Sequence, residues 1–212
     1  MDTPEQIIER ITSAIPGAKV ELLVNPSPCA QHSLVVAPDC AVAVATFLRD
    51  TPDLLFDFAS NVSGVDWPDK EVKEKITAME MVDGEEQPVE STVARTIPGY
   101  LEVVYHLYSM QLRHGPLTMR MRTGNRSNNV TVPSLTPVWR SCDFQEREVF
   151  DLYGIVFENH PDLRRLLMWE NFEGHPMRRD YVEPDDYEWE PTPHDSVLEK
   201  SKAHQGKEGT PA

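Results

Sequence analysis

Hydrophobic positions recur along the chain first at helical and then at strand spacing, and each change of period marks an element. Ile7, Ile8, Ile11 and Ile15 share one helical face. Just before them, Thr3, Pro4 and Gln6 occupy the N-cap, N1 and N3 positions of a capping box, and Pro16-Gly17 stops the helix. Short strands are predicted over Lys19–Val24 and Ser33–Ala37. Pro38-Asp39 then opens a second helix, whose inward stripe is Ala41, Val44, Ala45 and Leu48.

A period of two follows. Leu54, Phe56 and Phe58 alternate with Leu55, Asp57 and Ala59, predicting a strand that ends in the turn-rich Asn61 to Asp69. From Tyr100 to Tyr108, Leu101, Val103, Tyr105 and Leu107 form a wholly apolar face. Leu117, Met119 and Met121 alternate with Thr118, Arg120 and Arg122. The two outward arginines fit a solvated strand face and a partner contact equally well. His106, in the earlier of these two strands, reads as a satisfied sheet residue. Between the Leu54 strand and the one that starts at Tyr100, Lys70–Pro98 is charged and poorly periodic. It reads as an excursion, either a charged hairpin or a helix–loop, with a turn at Asp83-Gly84-Glu85-Glu86. Thr123–Pro137 is polar and proline-punctuated, hence a loop, and a helix is predicted over Pro137–Tyr153. This order of elements implies an α/β (α+β) fold: a two-layer domain with helices on one face of a mixed β-sheet, plus an extended C-terminal arm.

Length and composition narrow the function. At 212 residues the chain suits one domain, or one domain plus an arm, and its 40% hydrophobic content supplies an ordinary soluble core. A net charge of −15 argues against nucleic acid and against direct adhesion to anionic lipid. It fits solubility, or an electrostatic match to basic neighbours. No apolar run approaches the ~20 residues that span a bilayer. The first residues, Met1 to Glu5, are acidic and lack the apolar core of a secretory signal. A membrane link is therefore expected to run through other proteins. Cys29, Cys40 and Cys142 are far apart and form no CxxC, so the usual thiolate spacings of zinc and iron–sulfur sites are missing. They read as reduced thiols of a cytosol-like compartment. The GxGxxG and GxxxxGK[ST] nucleotide loops are missing as well.

The candidate chemistry concentrates late in the chain. Asp143, Glu146, Arg147, Glu148 and Asp151 fall on the last predicted helix, and His160, Asp162, Arg164 and Arg165 follow it. Asp143–Arg147 and Arg147–Asp151 are spaced as i,i+4 pairs. Trp139, Cys142, Val149 and Tyr153 form the apolar stripe, and Glu146 lies within it, so its carboxyl must be paired or protonated. The physical reading is a latch, an acidic helix clamped to an arginine strand or turn by charge-assisted hydrogen bonds. The catalytic reading makes Glu148 or Glu146 an acid–base group with His160 or Asp162 as partner. A metal site from His160, His175 and nearby acids lacks any HxxxH or HExxH spacing. Met168, Trp169, Phe172 and Met177 are read as buried against this domain or a neighbour.

These same residues carry a resemblance. Glu146-Arg147-Glu148-Val149-Phe150-Asp151-Leu152-Tyr153-Gly154-Ile155, then Phe157, then His160-Pro161-Asp162-Leu163-Arg164-Arg165-Leu166-Leu167 closely resembles the signature of the C-subunit family of NADH–quinone oxidoreductase (respiratory complex I). Phe172-Glu173-Gly174-His175-Pro176-Met177-Arg178-Arg179-Asp180-Tyr181 resembles a second segment of that family. Leu55 to Asp66 resembles its first long strand, Val103 to Ser109 a later strand, and Val132 to Thr136 its "vPSlt" loop. The likeness runs from roughly Leu54 to Tyr181; the first fifty residues match only in pattern. The Lys70–Pro98 excursion is longer than the family leads one to expect, and the acidic stretch after Glu183 lies outside the signature.

The resemblance implies a subunit that binds no cofactor itself, in a proton-translocating complex that carries NADH, FMN, iron–sulfur clusters and quinone on other subunits. It implies packing beside the D-type subunit, a relative of the hydrogenase large subunit, and near cluster-bearing subunits of the peripheral arm. It further implies a place on the cytoplasmic face of the inner (plasma) membrane, held there through other subunits. Glu146, Arg147, Glu148, Asp151, Tyr153, Gly154, His160, Pro161, Asp162, Leu163, Arg164, Arg165, Gly174, His175, Pro176, Arg179 and Asp180 are then expected to be structural or interface residues rather than catalytic ones. The expected organisation is a core over 1–153 with a variable excursion at 70–98, a signature segment over 154–182 packing on core and partner, and an acidic arm over 183–212. That arm either wraps a partner or is disordered. The alternatives are the equivalent subunit of an energy-converting hydrogenase or a ferredoxin-dependent quinone reductase and, from another class, a free-standing hydrolase.

Overall fold

The capping box at the start of the chain forms as its residues predict. Thr3 Oγ1 accepts from the Gln6 amide at 3.4 Å and Gln6 Oε1 accepts from the Thr3 amide at 2.9 Å, opening α1 (Pro4–Ala14). The computed structural model describes residues 2–82, 85–127 and 130–182, without the side chains of 73–82 and 85–93. Contacts divide the chain into Met1–Arg179 and Asp180–Ala212. Of the second unit, only Asp180, Tyr181 and Val182 are among the described residues. The expected arm over 183–212 lies outside them.

After α1 come β1 (Val20–Leu23), β2 (Ser33–Val36), a 3-10 turn at Pro38–Cys40, and α2 (Ala41–Asp50). The stripe Ala41, Val44, Ala45 and Leu48 is fully buried. Three strands complete the main sheet: β3 (Phe58–Trp67), β6 (Tyr100–Ser109) and β7 (His114–Arg122). Among the described residues this sheet has five strands in the order β1-β2-β7-β6-β3, antiparallel except for the parallel β2–β7 pair. Leu34 lies opposite Met119, and Met119 opposite Tyr105, so the inward residues of neighbouring strands are in register. They share one hydrophobic core with Ile7 and Ile11 of α1, the α2 stripe, and Cys142 and Val149 of α3 (Cys142–Tyr153). Helices on one face of a mixed sheet is the architecture the pattern predicts.

Three boundaries differ from the sequence expectation. Asn61 to Trp67 is strand, not turn, while Leu54 and Phe56 are buried in the irregular connection before it. The alternation that counts runs through Val62, Gly64 and Asp66, all buried, after a bulge between Ala59 and Asn61. The polar residues that suggested turns, Asn61 and Ser63, occupy the alternate positions, and Gly64 is small because the Tyr153 ring of α3 lies where its Cβ would be. The second difference is a three-residue strand, β8 (Thr131–Pro133), inside the expected loop; it pairs in parallel with β9 (Val156–Glu158) beyond α3. Third, α3 starts at Cys142 rather than Pro137, because Leu135 to Ser141 folds into turns, with Val138 and Trp139 donating to Leu135 O.

The excursion is the hairpin alternative. β4 (Lys70–Val82) and β5 (Glu85–Ile97) pair antiparallel from Lys70–Ile97 to Val82–Glu85. Of the turn expected there, Asp83 and Gly84 lie outside the described residues and Glu85 and Glu86 belong to β5.

Candidate functional site

Helix α3 forms because Cys142, Glu146, Val149 and Tyr153 recur on one face, and it ends at Gly154, whose φ of +74° is the left-handed C-cap glycine favours. Two buried carboxyls hang from it, and each organises different neighbours.

Glu146 is fully buried beneath the sheet. Its Oε1 accepts from the Tyr105 hydroxyl at 3.0 Å and from the Leu135 amide at 2.9 Å, and its Oε2 meets the Ser134 hydroxyl at 2.6 Å. The burial that pulls it from water raises its pKa; the Ser134, Leu135 and Tyr105 donors pull it back only partly, leaving it at about 7. Burial beside this carboxyl also pushes the Tyr105 phenol well up.

Asp151 is also fully buried, yet its pKa is lowered. Burial alone would raise it, but four donors outweigh that. Oδ2 accepts from the amides of Met168 at 2.8 Å, Leu167 at 2.7 Å and Leu166 at 3.0 Å, and Oδ1 pairs with the Arg165 guanidinium at 2.7 Å. Arg165 continues to the carbonyls of Phe172 at 2.9 Å and Gly174 at 3.1 Å. One arginine thus ties the helix to two later stretches of chain.

The same stretches finish the helix. An α-helix leaves its last four carbonyls without intrahelical donors. Here Phe150 O accepts from the Gly154 amide, Asp151 O from His175 Nδ1 at 2.9 Å, Leu152 O from the Met177 amide at 3.1 Å, and Tyr153 O from Arg178 Nε at 2.6 Å. The histidine, the methionine backbone and the arginine of Gly174-His175-Pro176-Met177-Arg178 act together as a C-cap. A Cβ on Gly154 would run into the His175 ring and the Arg178 guanidinium, so that glycine is required twice. Burial lowers the His175 pKa, which keeps the ring a neutral Nδ1 donor. Next to this cap, Asp66 at the end of β3 takes a bidentate pair from Arg126, at 2.5 and 2.6 Å, and the Arg179 amide at 2.8 Å. Burial opposes its ionisation, but Arg126 and the Arg179 amide hold it below the ordinary carboxylate range.

The latch therefore exists, with different partners from those the spacing suggests. The i,i+4 pairs Asp143–Arg147 and Arg147–Asp151 are not formed among the described residues. Arg147, itself buried, stands 3.7 Å from Asp162, donates to Arg164 O at 3.4 Å, and covers the Phe144 ring. A desolvated carboxylate gains more from a cation and three amides across a turn than from one helical neighbour. Among the described residues the Arg164 guanidinium reaches Asp162, two residues before it, and its side chain is 71% exposed. Both ring nitrogens of His160 are engaged: Nδ1 accepts from the Asp162 amide at 3.1 Å, so Nε2 carries the proton and donates to Asp143 O at 3.1 Å. Glu148 is exposed on the outer side of α3, so the catalytic pairing of Glu148 with His160 is not assembled. Among the described residues, no three His, Cys, Asp or Glu stand together as metal ligands. Leu163 packs against the core, Pro176 is half-buried, and Asp180 falls in the second unit. Pro161 lines an open cavity of about 580 Å³ together with Thr136, Val138, Arg140, Asp143 and Asn159.

Phe172 is buried against Trp169 edge-to-face, with Arg165 over its ring, while Trp169 and Met177 are about half exposed. Arg120 and Arg122 do not form a plain solvated face: both pair with Glu102, which is fully buried and also takes the Trp67 indole N–H. His106 is not satisfied as expected. Its buried Nδ1 has no hydrogen-bond partner among the described residues, and burial and the nearby Arg120 cation lower its pKa. Tyr105, Ser134, Asp66, Arg126 and Arg178 are site residues to which the motifs alone give no role. Ser134 and Asp66 sit in segments whose resemblance is visible; Arg126 lies in a polar loop with no signal of its own.

Residues 34–187 match the protein family described as respiratory-chain NADH dehydrogenase, 30 Kd subunit. A protein named as the C subunit of NADH-quinone oxidoreductase, from Roseiflexus sp. (strain RS-1), is 36% identical over 174 residues, covering 82% of this chain and 81% of its own. Its namesake from Roseiflexus castenholzii is 36% identical over 180 residues, covering 85% of this chain and 84% of its own. Among solved structures, a chain of the membrane-bound sulfane sulfur reductase, an archaeal respiratory membrane complex, shares the fold with a TM-score of 0.55 at 19% identity over 95% of this chain and 92% of its own.

Proposed function

Because the chain belongs to the family of the 30 kDa subunit of respiratory-chain NADH dehydrogenase, the C-subunit family of NADH–quinone oxidoreductase, we propose that it works as a scaffold of the peripheral arm. In this reading it carries no redox group, packs beside a D-type subunit and near cluster-bearing subunits, and helps hold the quinone-reducing module in place. NADH, FMN, iron–sulfur clusters and quinone then belong to those neighbours. Among the described residues no helix is long and apolar enough to cross a membrane. Attachment at the cytoplasmic face of the membrane accordingly runs through other subunits.

The observation that carries this reading is how the signature spends its charges. Asp151, Arg165, His175 and Arg178 are engaged in ending one helix and fastening the 160–179 stretch to it. A motif used in this way shapes a rigid surface. Exposed Phe144, Leu167, Trp169 and Met177 stand on or beside these elements, as apolar residues that a neighbour could cover. Glu148 and Arg164, both exposed signature residues, supply the charged rim of such a contact.

The test is affinity capture of the tagged chain from gently solubilised membranes, with mass spectrometry of what co-purifies. The proposal expects a D-type subunit with iron–sulfur and NADH-binding subunits. A nickel-hydrogenase or ferredoxin-linked set instead would move the chain to a sister complex, and a lone chain would contradict the scaffold role.

A further inference from the structure

Glu146 is connected to the surface by hydroxyl groups. Ser134 Oγ, buried with it, lies 2.6 Å from Glu146 Oε2 and 2.8 Å from Thr136 Oγ1, and it accepts from the Thr136 amide at 3.2 Å. Thr136 in turn lines the open cavity that it shares with Arg140, Asp143 and Asn159. A fully buried carboxyl thus stands two hydroxyls from an aqueous pocket.

We propose that Glu146 is a proton-exchanging core carboxyl, whose proton leaves and returns through Ser134 and Thr136 to the cavity beside Asp143. When Glu146 is protonated, Oε2–H donates to Ser134 Oγ, Ser134 O–H donates to Thr136 Oγ1, and Thr136 O–H points to water. Deprotonation passes one proton along each link: from Oε2 to Ser134, from Ser134 to Thr136, and from Thr136 to a buffer base in the cavity. Both hydroxyls then point back towards the carboxylate, as a charge at Glu146 requires, so the chain is fully bonded in either state. No atom but the proton moves between residues.

The groups facing Glu146 leave it free to titrate. Tyr105 donates from β6, Cys142 packs beside it on its own helix, and Asp143 adds a like charge; Leu135 contributes only its amide. Among the described residues no cation fixes the ionised form, and burial alone does not exclude it, since three donors wait for it. In either state these bonds tie Ser134 and Leu135 to α3, next to Thr136 in the cavity wall.

The experiment uses the full chain labelled with ¹³C at glutamate carboxyls. Carbon-detected NMR between pH 5 and 9 is expected to show one carboxyl titrating with a midpoint of about 7. Glu146→Gln, whose amide copies the protonated acid, removes that resonance. Should this variant fail to fold, Tyr105→Phe identifies the resonance instead, because losing a donor to the carboxylate raises its midpoint. Thr136→Val cuts the outer link and is expected to slow proton exchange on the order of a hundredfold, the low end of what one positioned transfer group contributes. No carboxyl titrating in that range, or an exchange rate unchanged in Thr136→Val, overturns the proposal.

Discussion

Two carboxylates of one helix, both fully buried, are driven in opposite directions. Glu146, in the middle of α3, is answered by a phenol, a hydroxyl and one amide, with no cation among the described residues, and its pKa rises to about 7. Asp151, near the end, is answered by a guanidinium and three successive amides, and its pKa falls. Burial penalises both charges. What differs is how deeply each is enclosed and which donors it meets: Glu146 is the more enclosed of the two, while Asp151 has a cation and two more amides. Enclosure and donors together decide whether a buried acid is ionised. One helix therefore carries a tunable proton site at its middle and a permanent ionic lock at its end.

The sharpest way to break the contrast is to remove the lock. Asp151→Ala leaves Arg165 and three amides without their acceptor, and breaking a buried pair from one side costs about 3–5 kcal/mol. Urea unfolding of the full chain should show that loss; a change below about 1 kcal/mol would mean that the pair is solvated and idle. The next effect is a pH slope. The folded state keeps the Glu146 proton that the unfolded chain releases above 4.5, so stability falls as pH rises from there to about 7, by about 3 kcal/mol in total. Glu146→Gln should flatten that limb and gain on the parent protein as pH increases. Asp151 has the opposite sign: its lowered pKa contributes stability above 3.8 that is lost as pH falls, so Asp151→Asn should flatten only the acid limb.

Gly154→Ala asks less of the fold. A side chain at φ +74° costs roughly 1–2 kcal/mol, and the displaced His175 and Arg178 add to it. Thermal unfolding should register about 2 kcal/mol of lost stability, against almost none for alanine at the open Gly124. Smallest of all is Arg164→Ala. Its pair with Asp162 is exposed and screened by solvent, so urea unfolding of the chain itself should barely change. If Arg164 belongs to the rim of a contact, that variant should instead lower the amount of assembled complex in membranes.

Much of this is legible in the residues. The capping box, the α2 stripe and the alternation in β6 and β7 each state a local preference that the tertiary fold keeps. The buried position of Glu146 follows from its place in an apolar stripe, and so does its need for a partner. The identity of that partner does not follow, because Tyr105 and Ser134 reach it from a strand and a loop whose docking no period encodes. Strand β3 is hidden at its polar half, since Asn61 and Ser63 resemble turn residues until β6 supplies the pairing. The pairing of Arg165, rather than Arg164, with Asp151 cannot be told from two adjacent arginines. Only the turn at Asp162 to Arg165 decides which of them faces the helix.

In the scaffold reading proposed above, the signature around α3 builds a surface and a lock rather than a site for the redox reaction. The direct test is Asp151→Ala expressed in place of the native chain, with complex abundance and NADH–quinone reductase turnover per assembled complex measured in the same membranes. The account predicts fewer complexes, each turning over normally. Normal abundance with lost turnover would contradict it, and would give Asp151 a part in the reaction itself.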